Sequence, residues 1–224
     1  MSVFFLRKKA VLCVVFILSF VVTASSLFYA LIIGRAQVYK HNQTFYFLVS
    51  QNPHIEASSL TIKAENGAGY LLEKDGNNYV ALSVYLSETD AKKALESAKH
   101  RFTEITYIPV TSENLYFITR GEKINAQETV NGLKTLLTGI VLLDKEIYRL
   151  EKGATQQSTK RVIKDLSKTI VFLGKENELF QVLGKNTTSI VGESLENIVY
   201  LKDLRYLLCF LCDEYTRICA KFSL

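Results

Sequence analysis

The sequence predicts an α+β protein in three parts: an N-terminal transmembrane helix, a split β-α-β-β-α-β domain of the ferredoxin/RNP type, and a C-terminal antiparallel helical bundle. Three observations support this prediction. A run of 25 residues near the N-terminus has no charge, and an Asp-Gly pair separates two apolar runs further along the chain. Beyond residue 125, the spacing of apolar residues changes from the period of a strand to the period of a helix.

The uncharged run, residues 10–34, is long enough to cross a bilayer, whose hydrocarbon core needs about 20 apolar residues. Three basic residues at positions 7–9 precede it, which favours a cytoplasmic N-terminus (residues 1–9) and an extracytoplasmic body. The alternative is a cleaved signal peptide with a small-residue site at Thr23–Ser25. Because the apolar run continues to Ile33, we expect an uncleaved, single-pass anchor in the lipid of the cytoplasmic membrane.

The charge of the chain is concentrated at its N-terminus. The first 40 residues hold five bases and no acid, which accounts for the whole net charge of +5. The remaining bases equal the 22 acids, so the body of the protein is neutral. A neutral body disfavours nucleic acid as a partner.

The α+β domain, residues 44–120, begins with a β-rich run at Thr44–Ser50. Pro53 then opens a segment whose apolar residues recur at helical spacing: Ala57, Leu60 and Ala64. The sequence therefore predicts a strand followed by a helix.

A hairpin follows, because Asp75-Gly76 is a pair that tolerates positive φ at both central positions of a type I′ turn. A two-residue loop fixes the register and sets four pairs opposite each other: Lys74 and Asn77, Leu72 and Tyr79, Leu71 and Val80, Tyr70 and Ala81. The second strand alternates strictly. It is predicted to direct Val80, Leu82, Val84 and Leu86 to one face, and Tyr79, Ala81, Ser83 and Tyr85 to the other.

The domain is completed by a helix and a strand. Ser87 and Asp90 have the spacing of a capping box, and a narrow apolar stripe follows at Ala91, Ala94, Leu95, Ala98 and Phe102. Glu104–Val110 is the next strand, and Leu115–Thr119 is a candidate fifth. The order predicts two helices on one face of a four-stranded sheet.

This order, and above all the segment YVALSVYLSETDAKKALESAK at residues 79–99, resembles the SPOR domain, a family known for binding septal peptidoglycan. The resemblance covers residues 44–110, less than a third of the chain. Gln51-Asn52-Pro53 stands where family members usually carry a small residue and an aromatic one. The resemblance implies a bacterial cell-wall protein of cell division or sporulation that binds the glycan strands of peptidoglycan.

The predicted ligand-binding surface is the sheet face that the two helices leave uncovered. Its residues are Tyr46, Leu48, Tyr70, Leu72, Tyr79, Ser83 and Tyr85. Tyrosine combines flat apolar area with a hydroxyl group, which suits a glycan. Alternatively, the later helices cover this face and the tyrosines are interior. RNA stacking also suits such a face, but the neutral body and the expected extracytoplasmic placement disfavour it.

Residues 125–224 predict a helical region with three long helices, at Asn125–Glu151, Thr155–Leu173 and Gly192–Lys221. Gly132 and Gly139 are expected to be weak points of the first helix, and Gly174 is expected to end the second. A short helical segment at Glu176–Leu183 should precede a loop. The runner-up function follows from this region: a membrane-tethered envelope scaffold that binds a protein partner through these helices.

Three cysteines, Cys209, Cys212 and Cys219, fall within about 80° of one another on the last helix. They could hold zinc, form a disulfide or pack in the core. No histidine lies nearby in sequence to complete a metal site, so we expect core cysteines and no metal or cofactor. Asn42 and Asn186 stand in glycan-acceptor sequons.

The sequence has no Gly-rich phosphate loop, no nucleophile elbow and no pair of carboxylates placed for acid–base work. We therefore expect no catalytic residues and a protein that is not an enzyme.

Overall fold

The structure is a computed structural model, and it describes residues 21–23, 25, 36–40, 42–51, 54–102, 104–118, 126–194 and 199–223. The strands are β1 (Ala36–Tyr39), β2 (Thr44–Ser50), β3 (Tyr70–Lys74), β4 (Asn77–Tyr85), β5 (Ile105–Thr111) and β6 (Leu115–Ile118). The helices are α1 (Ile55–Ala64), α2 (Glu88–Ala98), α3 (Ala126–Glu151), α4 (Gln156–Glu176), α5 (Gln181–Ser194) and α6 (Leu201–Ala220), with a 3-10 turn at Glu178–Phe180.

The predicted transmembrane segment, residues 10–34, lies almost wholly outside the described residues; residues 21–23 and 25 are helical. In the described portions of the chain, no helix is both long and apolar enough to span a bilayer.

The chain forms two compact units. One unit comprises residues 1–38 and 116–123, and in it β1 pairs with β6 as a two-stranded sheet. The other comprises residues 39–115 and 124–224 and contains a four-stranded sheet with the helices α1 to α6. The candidate fifth strand therefore exists as β6, but it belongs to a separate sheet.

The four-stranded sheet has the order β3-β4-β2-β5, and every neighbouring pair is antiparallel. With α1 and α2 as the crossovers, this order confirms the predicted split β-α-β-β-α-β arrangement. The hairpin is also confirmed, since Asp75 and Gly76 have φ of 52° and 75°. All four predicted cross-strand pairs of β3 and β4 are found.

A β-bulge in β4 changes which side chains share a face. Leu48 pairs with Ser83 and Val49 pairs with Ala81, so Leu82 is an extra residue in the ladder. Val84 then pairs with Phe47, on the side opposite to Leu82. The prediction that strict alternation holds to the end of β4 is wrong, because the bulge inverts the facing of Ser83, Val84 and Tyr85.

Helices α1 and α2 cover one face of the sheet. The core of this layer contains Leu48, Ile62, Val80, Leu82 and Ile105, with Tyr85, Leu95, Phe102 and Tyr107 packed against it. Two details differ from prediction. Leu60 of α1 is 71% exposed while Ile62 is buried, and Ser87 makes no side-chain cap bond to α2. The side chain of Glu88 instead pairs with Lys92 and accepts from Tyr107.

The helical region has four helices rather than three. Helix α4 continues through Gly174 to Glu176, the expected loop at residues 184–189 lies inside α5, and the last helix begins at Leu201. Gly174 lets the 3-10 turn and the start of α5 approach α4, since a Cβ on Gly174 would lie 2.9 Å from the backbone oxygen of Phe180 and 3.4 Å from the Cα of Gly184.

The expected weak points in α3 are close-packing positions. A Cβ on Gly132 would meet the ring of Phe180 at 2.6 Å, and a Cβ on Gly139 would overlap Leu166. The absence of a side chain at these glycines lets the neighbouring helix approach, which compensates for their low helix propensity.

Candidate functional site

The sheet face opposite α1 and α2 is covered by the C-terminal helix α6. The rings of Phe45 and Tyr215 meet edge to face with centroids 5.5 Å apart, and those of Tyr70 and Tyr206 meet at 5.3 Å. Tyr215 is fully buried. The sequence left two alternatives for this face, an open ligand-binding surface or an interior covered by a later helix. The structure has the second.

The six predicted ligand-binding residues do not form one accessible surface. Tyr70, Leu72 and Ser83 are buried, while Tyr46, Tyr79 and Tyr85 are half-buried. Leu48, which was grouped with them, is buried among the residues under α1 and α2. The prediction that they share a face is wrong.

These residues divide between the two faces of the sheet. Tyr79 pairs with Leu72 and therefore lies on the α6 side. Tyr46 pairs with Tyr85, and both lie on the α1/α2 side, where the ring of Tyr46 is 6.1 Å from that of Tyr107.

A buried polar network joins the sheet to α6. The hydroxyl of Tyr70 donates to Oδ2 of Asp213 at 2.6 Å, and Nε of Arg217 lies 3.1 Å from the same oxygen. Asp213 is only 3% exposed, so its charge is held by these two partners rather than by water. Thr216 donates to the carbonyl oxygen of Asp213 at 2.8 Å.

This network is suited to positioning rather than to proton transfer. Burial, followed by the neighbouring Asp213, raises the pKa of Tyr70 well above its usual value. The phenol therefore stays protonated at neutral pH and acts as a donor. A general acid or base needs a pKa near the working pH. The pKa of Tyr70 lies far above that range.

A cleft of about 410 Å³ lies beside the network, at the end of the sheet that carries the β3–β4 turn. Its lining includes Leu72, Lys74, Val110, Asp213, Thr216 and Arg217. The guanidinium of Arg217 is half exposed, and Lys74 pairs at 3.2 Å with Asp75. Since Glu73 and Glu113 also border the cleft, its charge is mixed.

The cysteines of α6 lie in the core, as predicted. Cys209, Cys212 and Cys219 are each 0% exposed and carry free thiols. Burial raises the pKa of Cys219 to about 12, and it raises the pKa of Cys209 and Cys212 above the usual range. They are therefore neutral thiols rather than thiolate ligands. Across the residues that the structure describes, no group of three His, Cys, Asp or Glu side chains is placed to hold a metal ion.

Arg205 fastens α6 to two other elements. Its Nη1 donates to the carbonyl oxygen of Asn66 at 2.5 Å, and its Nη2 donates to Oε1 of Glu151 at 2.6 Å. Asn66 has a positive φ of 62° just beyond α1, and Glu151 ends α3. The start of α6 is thus held to the ends of both helices.

Two acids of α3 lie in poorly hydrated positions. Glu146 is 5% exposed and binds Arg149 at 2.6 Å and the hydroxyl of Thr159 on α4 at 3.3 Å. Burial, with smaller contributions from Asp90 and Glu151, raises the pKa of Asp144 to about 6. Glu146 joins two helices, whereas Asp144 is a half-buried carboxyl group between other acids.

Sequence reasoning missed the Tyr70–Asp213–Arg217 network. One signal was present, because Asp213 directly follows the apolar run at residues 206–212 of α6 and Arg217 follows it at the i,i+4 spacing of an ion pair. Only the fold identifies Tyr70 as the third member, since it lies 143 positions earlier in the chain.

No protein-family model matches the sequence, and it matches neither a curated protein nor a solved structure. The resemblance to SPOR domains stays a prediction.

Proposed function

We propose that this protein is a membrane-tethered, non-catalytic scaffold that binds a protein partner through the outward side of its C-terminal helices. The observation that supports this proposal is the packing of α6 against the sheet face that carries Tyr70 and Phe45. A glycan would have to reach side chains that are interior, such as Tyr70 and Leu72.

Removing α6 to admit a glycan would be too costly. Twelve residues of α6 are buried, among them Tyr215, Leu208 and Leu211. Each large apolar side chain returned to water costs about 1.5–3 kcal/mol, and the total stability of a domain is only about 5–15 kcal/mol. The sheet face under α6 therefore functions as part of the hydrophobic core.

The outward side of α3 offers an apolar surface suited to a partner. Val141, Leu142 and Tyr148 are 47%, 48% and 60% exposed. Val141 and Tyr148 are seven residues apart and so lie on nearly the same side of the helix. Because the chain is anchored in this proposal, we expect the occupant to be an apolar helical segment of another membrane-bound protein, which meets the scaffold at raised local concentration.

Site-specific photo-crosslinking in membranes tests the scaffold function. A photoreactive residue at Leu142 or Tyr148 should give adducts of one discrete size, and Val141→Asp should abolish them. Matched controls are Leu60 and Leu71, which are 71% and 52% exposed on other elements. A lack of adducts at α3, or the same adduct pattern at all four positions, would remove the proposed interface.

Sedimentation of the full-length protein with peptidoglycan sacculi in detergent tests the glycan function directly. The scaffold function predicts that the protein stays in the supernatant. Co-sedimentation that is weakened by Tyr79→Ala or Tyr85→Ala would instead establish glycan binding.

A further inference from the structure

We propose that the outward face of α4 is a docking surface for the headgroups of an anionic lipid bilayer. This face carries Arg161, Lys164, Lys168, Phe172 and Lys175, and all five side chains are exposed. At 100° per residue they fall within an arc of about 80°, opposite the buried residues of the helix, and they extend along about 21 Å of its axis. We call these five residues the basic stripe.

The basic stripe is not neutralised by its surroundings. Within the described parts of the chain, none of its four cations has an ion-pair partner. Two acids of α4, Asp165 and Glu176, lie to one side of the stripe rather than in it. Helix α2 is different, because it mixes three acids with two bases. In a body whose charges balance, a row of cations on one helix is a local excess that attracts an anionic surface.

Phe172 favours a bilayer over a soluble polyanion. Its side chain is 62% exposed between Lys168 and Lys175 along the helix axis. A purely electrostatic contact would gain nothing from an aromatic ring at this position. At a membrane, the cations bind lipid phosphates while the aromatic ring enters the apolar boundary beneath them. Soluble polyanions provide no such boundary.

The length of the chain is consistent with this contact, which rests on the membrane anchor of the proposed function. The predicted span ends at Gly34, and the unit that contains α4 begins at Tyr39. Five extended residues reach at most about 18 Å. A folded unit so close to the bilayer has a helix face available to the headgroups at high local concentration.

The chain contains no tryptophan, so Phe172→Trp provides a single fluorescent reporter in the basic stripe. The full-length variant would be reconstituted in phosphatidylcholine vesicles, with or without phosphatidylglycerol, that contain brominated lipid as a quencher. We expect blue-shifted, quenched emission only in the phosphatidylglycerol vesicles, and we expect salt to reverse it. Leu60→Trp on α1, at a position that is 71% exposed, should respond in neither.

Charge removal tests the cations. In the Phe172→Trp protein, Lys164→Gln with Lys168→Gln should lower the equilibrium constant for surface contact about 25-fold, at about fivefold per charge. Lys93→Gln in α2 with Lys99→Gln at the C-cap of the same helix removes the same charge from another exposed site and should have no effect. Circular dichroism of both variants would verify that the fold is retained.

Three outcomes would overturn the inference: no quenching in any vesicle, equal quenching in neutral and anionic vesicles, or a response to soluble polyphosphate without a response to lipid. Flotation of the vesicles in alkaline carbonate reports the anchor separately. Loss of flotation would contradict the membrane tether of the proposed function, whereas a chain that floats without quenching contradicts only the lipid contact of α4.

Discussion

The two faces of the four-stranded sheet are covered in different ways. The face under α1 and α2 is closed by apolar residues from one continuous segment, such as Leu48, Leu82 and Ile105. The face under α6 combines aromatic rings with a buried charge, and its partners lie far apart in sequence, as Phe45 and Tyr215 do. One face is a local structure, whereas the other depends on the C-terminal end of the chain.

The largest expected effect comes from placing a charge on each face in turn. Ser83 and Val84 are 7% and 1% exposed, and they lie on opposite faces of the sheet because Ser83 pairs with Leu48 and Val84 pairs with Phe47. Ser83→Asp and Val84→Asp should each bury an unpaired carboxylate and lower the free energy of unfolding by more than about 4 kcal/mol, a large part of the total stability of a domain. Far-UV circular dichroism and limited proteolysis measure this loss.

Asn78→Asp is the matched control, because Asn78 is exposed on the same strand and its change should stay within about 0.5 kcal/mol. If Ser83→Asp or Val84→Asp folded normally, the corresponding face would be accessible to solvent.

The buried charge distinguishes the second face, and Tyr70→Phe tests it. Removing the hydroxyl deprives buried Asp213 of a donor and should lower the free energy of unfolding by about 1.5–3 kcal/mol in a denaturant titration. Tyr107→Phe is the counterpart on the other face, where the phenol donates to exposed Glu88, and it should lower the free energy of unfolding far less.

A double-mutant cycle of Tyr70→Phe with Asp213→Asn should give a coupling energy of at least about 0.5 kcal/mol. Strict additivity would mean that the hydrogen bond does not link the sheet to α6.

The smallest expected effect lies in the layer behind α6 and depends on pH. Burial raises the folded-state pKa of Asp144 to about 6 from an ordinary value of 3.8. As the pH rises, the unfolded chain loses this proton first, so stability that is present below about pH 4 is lost as the pH passes through 6. The loss is about 1 kcal/mol once solvent screening is allowed for.

Asp144→Asn should therefore raise the melting temperature at pH 7 and flatten its decline between pH 4 and 6. Asp165→Asn, at an exposed acid of α4, is the control and should leave the profile unchanged. An unchanged profile for Asp144→Asn would show that this carboxyl group is fully hydrated.

The local face was predictable from sequence because each step depends on neighbouring residues. The Asp75-Gly76 turn fixed the hairpin register, and helical spacing placed α1 and α2. The bulge at Leu82 was not predictable, since an extra residue in a ladder depends on the pairing with β2, and the sequence of β4 alternates without interruption.

The face under α6 could not be predicted from the periodicity of the sequence. Helical spacing identified α3, α4 and α6 but could not say which would lie on the sheet. The sequence predicts that Gly174 ends its helix, although the lack of a side chain at this position permits the close approach of the next segment. Helix propensity predicts that a glycine destabilises its own helix. Only the position of the neighbouring element shows that the glycine also allows close packing.

The position of α6 has a consequence for synthesis. Tyr215, which covers Phe45, follows it by 170 positions, and a ribosome adding about 5–20 residues per second needs roughly 10–30 s to reach it. During that interval the emerging hairpin and its neighbours have only one side shielded. A nascent chain with aromatic side chains exposed for so long is a substrate for chaperones. Premature termination anywhere before α6 would leave a product whose apolar sheet face stays exposed and prone to aggregation.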